Sequence, residues 1–300
     1  MEGPAKAVLG SVAAVAVAVV VAFAGASGGV SRGGVPVVLW ATAVAFAVNW
    51  VVFVPSWLTR TERYYDLTGT LSYLTVMLLA IVMVGRYDPR SLLLTGLVAV
   101  WTTRLGTFLF RRIRKAGSDS RFERILTDPA QLFMTWTLQG LWVSLTLAAA
   151  LAAVTSTTEE PLAWWWLAGA ALWTVGFVLE SVADLQKSRF RADDSNRGDF
   201  ITSGVWAWSR HPNYLGEITL WTGVALIALP ALQGWQFVTL ISPLFVFVLL
   251  RYISGIPLLE RSARRRWGDD PRWLAYQRNT PMLLPRRPRP DPVANGGATR

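Results

Sequence analysis

The chain has 300 residues, of which 53% are hydrophobic and 16% charged. Its mean hydropathy is +0.37, and an ordinary soluble domain carries about 25% charged residues, so a soluble fold is excluded. With no cysteine and one histidine, the chain cannot build a disulfide framework, a thiolate nucleophile or an iron–sulfur centre, and no metal site is expected. The net charge of +10 sits in loops and a tail beside apolar runs, where anionic lipid and membrane topology account for it better than nucleic acid does.

The apolar runs predict an all-α, polytopic helical membrane bundle with about eight transmembrane helices, and seven to ten fit the same runs. The spans fall at about 7–24, 35–54, 67–84, 91–110, 132–154, 162–182, 214–230 and 235–257, by the rule of roughly 20 residues per crossing. The first could be read as a signal peptide, with Lys6 before the apolar run and Gly25-Ala26-Ser27 after it, but the run exceeds the usual signal core. Trp164-Trp165-Trp166 marks an interfacial belt at the sixth span, and Pro230 ends the seventh. Residues 258–280 alternate arginines with Trp267, Trp273 and Tyr276, which suits an amphipathic segment on the membrane surface. The expected division is 1–60 as N-terminal transmembrane helices, 61–284 as the main membrane domain and 285–300 as a disordered basic tail.

About 24 Lys and Arg fall in the N-terminus, the alternate loops and the tail, against Arg32, Arg86 and Arg90 in the other loops. By the positive-inside rule both termini are cytoplasmic. Arg104 and Arg251 are left inside spans.

The densest polar cluster is Arg210-His211-Pro212-Asn213-Tyr214-Leu215-Gly216-Glu217, at the mouth of the seventh span. A proline-started helix with an acid in its first turns explains Pro212 and Glu217, but not the crowding of Arg, His, Asn and Tyr. Asn213 and Glu217 are four apart, as are Glu180 and Asp184 on the sixth span, and each pair shares a helix face. With Arg104 and Arg251, these groups on separate spans are best explained by one ligand pocket opening to the cytoplasm. Its expected rim is basic: Arg111, Arg112, Arg114 and Lys115 on one side, Lys187, Arg189, Arg191 and Arg197 on the other. Arginines beside carboxylates suit a ligand with phosphates and hydroxyls, either a dinucleotide or an adenosyl cofactor. Gly25-Ala26-Ser27-Gly28-Gly29 is not a dinucleotide turn and follows a span rather than a strand, and no Gly-x-Ser-x-Gly elbow occurs.

The runs 176–186, Ser203-Gly204-Val205-Trp206, 209–217 and Ser254-Gly255-Ile256-Pro257-Leu258-Leu259-Glu260 resemble those of bacterial integral membrane proteins related to steroid 5-alpha-reductases. Asp66-Leu67-Thr68-Gly69 and Arg104-Leu105-Gly106 extend the similarity over most of 60–284. The Arg-His-Pro-Asn-Tyr stretch is also similar to isoprenylcysteine carboxyl methyltransferases. The resemblance implies a helical bundle in a bacterial inner membrane that binds NADPH from the cytoplasm and reduces a carbon–carbon double bond of a lipid or steroid-like substrate. It assigns cofactor binding to Arg104, Asp184, Arg191, Asn213, Glu217 and Arg251, and the polar clusters add Glu180, Arg210, His211 and Tyr214 to the expected cofactor set. The place of the family's catalytic tyrosine is held by Trp101, whose indole cannot donate as a phenol does, so Asp66 and Tyr65 become the candidate donors. Two alternatives stand beside this reading: an S-adenosylmethionine-dependent methyltransferase, and a non-catalytic lipid-binding protein. The expected partners are a lipid-soluble small molecule and membrane lipids.

Overall fold

The computed structural model describes residues 3–116, 122, 125–158 and 163–287; the expected tail from 288 onward lies outside them. Among the described residues, eight helical segments are long and apolar enough to cross a membrane, as the hydropathy predicted: Pro4–Gly25, Val37–Thr59, Tyr65–Val84, Pro89–Arg114, Pro129–Thr155, Trp164–Ala192, Pro212–Ala231 and Gly234–Trp267. The chain is therefore a polytopic helical membrane protein. We label the helices α1 (Pro4–Gly25), α2 (Val37–Thr59), α3 (Tyr65–Val84), α4 (Pro89–Ala116), α5 (Pro129–Thr155), α6 (Trp164–Ala192), α7 (Pro212–Ala228), α8 (Ile241–Val248), α9 (Ile256–Trp267) and α10 (Pro271–Asn279). The only strands among the described residues form a two-residue hairpin, Ser31–Arg32 with Val35–Pro36, closed by Gly33-Gly34.

The chain divides into two compact units, Met1–Gly169 with Val224–Ser242, and Ala170–Gly223 with Pro243–Arg300. In the first, α5 is the central helix, packed by α1, α2, α3 and α4. Every residue from Val143 to Ser156 is buried, as expected of a helix that is apolar on all sides. Its small residues, Ala148, Ala149, Ala150, Ala152 and Ala153, let neighbouring backbones come close. Buried polar groups are paired across helices: Asn49 Nδ2 donates to Ser72 Oγ at 3.1 Å, and Trp50 Nε1 donates to Thr137 Oγ1 at 3.1 Å.

Three helices depart from the hydropathy outline. The fourth and sixth continue past their apolar parts, to Ala116 and Ala192, because charged residues with good helix propensity extend them beyond the membrane run. The eighth, expected as one span at 235–257, is a chain of different helical turns. A 3₁₀ stretch at Gly234–Leu240 leads into α8, then a π-helical turn at Leu249–Ile253, and α9 restarts after Gly255. Such π turns cluster at functional sites, and this one carries Arg251. The seventh ends as expected, with Pro230 in a 3₁₀ turn at Leu229–Ala231.

Candidate functional site

In the second unit, α6 and α7 meet backbone to backbone. A Cβ on Gly176 would stand 2.5 Å from the Gly216 carbonyl oxygen, and one on Gly216 would stand 2.6 Å from the Glu180 nitrogen. No side chain larger than hydrogen fits there, and two glycines let the helices touch. The contact buries Glu180 on α6 and Glu217 on α7, at 2% and 8% exposure. Asp184, one turn beyond Glu180, is buried too, and its Oδ1 accepts a hydrogen bond from Asn213 Nδ2 at 3.3 Å. The two i, i+4 pairs foreseen on separate helices are thus brought together by Asp184 and Asn213. Asn213 Oδ1 is buried with no hydrogen-bond partner among the described residues, which leaves an acceptor for a ligand.

The start of α7 is fixed by a carboxylate the sequence reading did not assign a role. Glu260, on α9, accepts from Arg210 Nη1 at 2.7 Å with one oxygen, and its other oxygen lies 2.9 Å from His211 Nε2. Gln277 Nε2, on α10, donates to the same carboxylate at 3.1 Å. Burial holds the His211 pKa below its ordinary value, while the hydrogen bond and charge of Glu260 pull it the other way. The ring is therefore neutral near pH 7; the carboxylate partner assigns its proton to Nε2, which leaves Nδ1 as an acceptor. That nitrogen is buried without a partner among the described residues. The ring also stacks on Tyr214, with centroids 5.7 Å apart and planes at 9°. One signal could have found Glu260: it is the lone acid before the arginines at 261, 264, 265 and 266.

Next to this cluster is a cavity of about 120 Å³, lined by the end of α6, the loop from Asp199 to His211, α9 and α10. Lys187, Arg191, Arg210 and Arg266 give it positive charge; Phe200, Trp206, Trp267, Trp273 and Tyr276 give it aromatic walls. Trp206 is held by its indole nitrogen donating to Ala183 O at 3.1 Å, and Tyr276 Oη donates to Trp206 O at 2.7 Å. Burial raises the Tyr276 pKa, so its hydroxyl stays protonated. Arg251, on the π turn, lies with its guanidinium 4.8 Å from the Tyr252 ring centre.

Four of the expected site residues belong to the first unit. Tyr65 opens α3; its hydroxyl donates to Thr135 O at 3.2 Å and its ring meets Phe122 and Trp136 edge-on. Asp66 lies 3.9 Å from Arg112. Trp101 is 2% exposed and packs edge-on to Tyr73 at 5.3 Å, so it faces the interior rather than lipid. Arg104, three residues on, has its guanidinium 5.7 Å from the Phe108 ring centre. Of the basic rim expected on 111–115, the Lys115 side chain lies outside the described residues.

The fold and this cluster define a polytopic helical membrane protein with a polar, part-aromatic site on its sixth and seventh spans. The chain matches the family described as protein of unknown function (DUF1295) over residues 52–280, and it belongs to that family. No curated protein and no solved structure matches it.

Proposed function

We propose that the protein is an NADPH-dependent membrane reductase that reduces a carbon–carbon double bond of a lipid or steroid-like hydrophobic substrate. The resemblance to steroid 5-alpha-reductases raises this reading. The observation that carries it is the Asp184–Asn213 hydrogen bond at the Gly176–Gly216 crossing, with Glu180 and Glu217 buried beside it.

The residues fit such a cofactor. Buried carboxylates at Asp184 and Glu217 accept from hydroxyl or carboxamide groups, and the unpaired Asn213 Oδ1 accepts one more hydrogen. Lys187 and Arg191 at the cavity suit phosphates as charge-assisted partners. At about 120 Å³ the cavity is smaller than the roughly 300–1,000 Å³ of whole-ligand sites, so it would take one part of a dinucleotide. Arg251 is the further cation proposed for it, and Arg104 is proposed as a cofactor-binding residue on the resemblance alone. Arg210 and His211, both held on Glu260, position the start of α7, and with Tyr214 they complete the proposed cofactor set.

When bound, NADPH supplies the hydride. The chain must then supply a proton to the adjacent carbon and a donor for a polarised carbonyl. Asp66 and Tyr65 are the proposed donors. Tyr65 has its hydroxyl proton on Thr135 O and would have to exchange that partner. Trp101 offers packing in place of a phenol. In this account the site opens to the cytoplasm, where both termini lie, and substrate enters from the bilayer of a bacterial inner membrane.

Mass spectrometry of the protein purified in mild detergent tests the reading. NADPH or its oxidised form should co-purify. Retention of S-adenosylmethionine instead would overturn it in favour of a methyltransferase, and bound NADPH without turnover on any lipid enone would favour a binding protein.

A further inference from the structure

The helix that carries Glu260 inward carries a second chemistry outward. With 3.6 residues per turn, Ile256, Glu260, Ala263 and Trp267 share one face of α9, Leu258, Arg261 and Arg265 share the opposite one, and Arg264 stands on the flank between them. The burial follows this division: Ile256 and Ala263 are buried, and Leu258 and the three arginines are exposed. None of these arginines makes an ion pair among the described residues. Of the neighbouring acids, Glu260 is engaged with Arg210 and His211, and Asp199 and Asp270 with Arg272, while Asp269, just past the end of α9, makes no ion pair with these arginines among the described residues. The charge follows directly on an apolar surface, since Leu244, Tyr252, Ile253 and Leu258 are 56%, 60%, 61% and 41% exposed. Cations one turn past the end of a lipid-facing surface stand at headgroup depth.

We propose that the outer face of α9 docks anionic lipid headgroups of the surrounding bilayer through Arg261, Arg264 and Arg265. The site goes beyond the reductase reading and does not depend on it. A general inside-positive bias would ask only for basic residues on this side of the membrane. Three exposed arginines, with no ion pair among the described residues, on and beside the face opposite Glu260 ask for a partner.

The test is native mass spectrometry of the full chain with equimolar phosphatidylglycerol and phosphatidylcholine of matched acyl chains. Preferential retention of phosphatidylglycerol is expected, and it should fall at least tenfold in R261Q/R264Q/R265Q, since each basic residue near an anionic surface contributes about fivefold. It should be unchanged in K6Q/R60Q/R63Q, which removes equal charge at exposed sites elsewhere. If the first variant does not fold, the native protein still decides: about 0.5 M salt should release phosphatidylglycerol selectively, since exposed charges are screened at that strength. Equal retention of the two lipids, equal loss in both triple variants, displacement by millimolar inorganic phosphate, or an acidic protein or nucleic acid held in place of lipid would each overturn the proposal.

Discussion

His211 and Glu260 are joined at 2.9 Å, tying the residue that precedes α7 to α9, the last helix of the eighth segment. The same carboxylate holds Arg210, so one acid fixes both side chains that lead into the Asn213–Glu217 turn. Removing it leaves Arg210, only 10% exposed, without its partner. Glu260→Ala should therefore cost about 2–3 kcal/mol of stability, read as a lowered unfolding midpoint in detergent. Glu260→Gln, which can still accept hydrogen bonds, should cost less than half of that. Equal midpoints for Glu260→Ala and the native protein would show that the pair is incidental.

His211 gives the protein an acid-side limit. Its folded pKa lies below the unfolded value of about 6.5, so the unfolded chain takes up a proton that the folded one refuses. The contribution is whole above about pH 6.5 and is lost as pH falls below that value toward the folded pKa. Unfolding midpoints measured from pH 7.5 to 5 should decline below 6.5, and His211→Gln should flatten that part of the decline. An unchanged slope in the variant would assign the acid sensitivity elsewhere.

The Gly176–Gly216 contact leaves no space for a methyl group. Gly216→Ala would force the α6 and α7 backbones apart against a 2.6 Å approach, at a cost of about 1–3 kcal/mol. Because the separation also pulls Asn213 from Asp184, cofactor affinity should fall together with stability. Titration of the folded variant checks this, and unaltered affinity would place the ligand away from the crossing.

Trp101 sits in a buried, edge-on contact with Tyr73 that a tyrosine ring would largely preserve. Trp101→Tyr should fold and should gain activity toward a 3-keto-4-ene steroid, which the native protein should turn over poorly. Following NADPH oxidation in both proteins decides it; rapid oxidation by the native protein would show that another residue supplies the proton.

The spans were legible because about 20 apolar residues are needed to cross a bilayer and few other folds contain such runs. Asp184 with Glu180, and Asn213 with Glu217, were legible because i, i+4 spacing is local to a helix. Glu260 was not, since its partners lie 49 and 50 residues away and nothing in local spacing links them. The π turn at Leu249–Ile253 was hidden for another reason: hydropathy averages over composition and is blind to a shift in backbone hydrogen bonding. For Trp101, an apolar ring suits either lipid or protein interior, and only packing against Tyr73 distinguishes them.

The most direct test of the central claim is calorimetry of the purified protein with NADPH, NADH and S-adenosylmethionine, repeated with Asn213→Ala and Glu217→Gln. The account predicts that NADPH binds more tightly than NADH, by about 1.5–3 kcal/mol for a charge-assisted contact to the 2′-phosphate. It also predicts that both variants lose NADPH while unfolding at temperatures close to the native one. Binding of S-adenosylmethionine alone, or NADPH affinity unaltered in both variants, would contradict it.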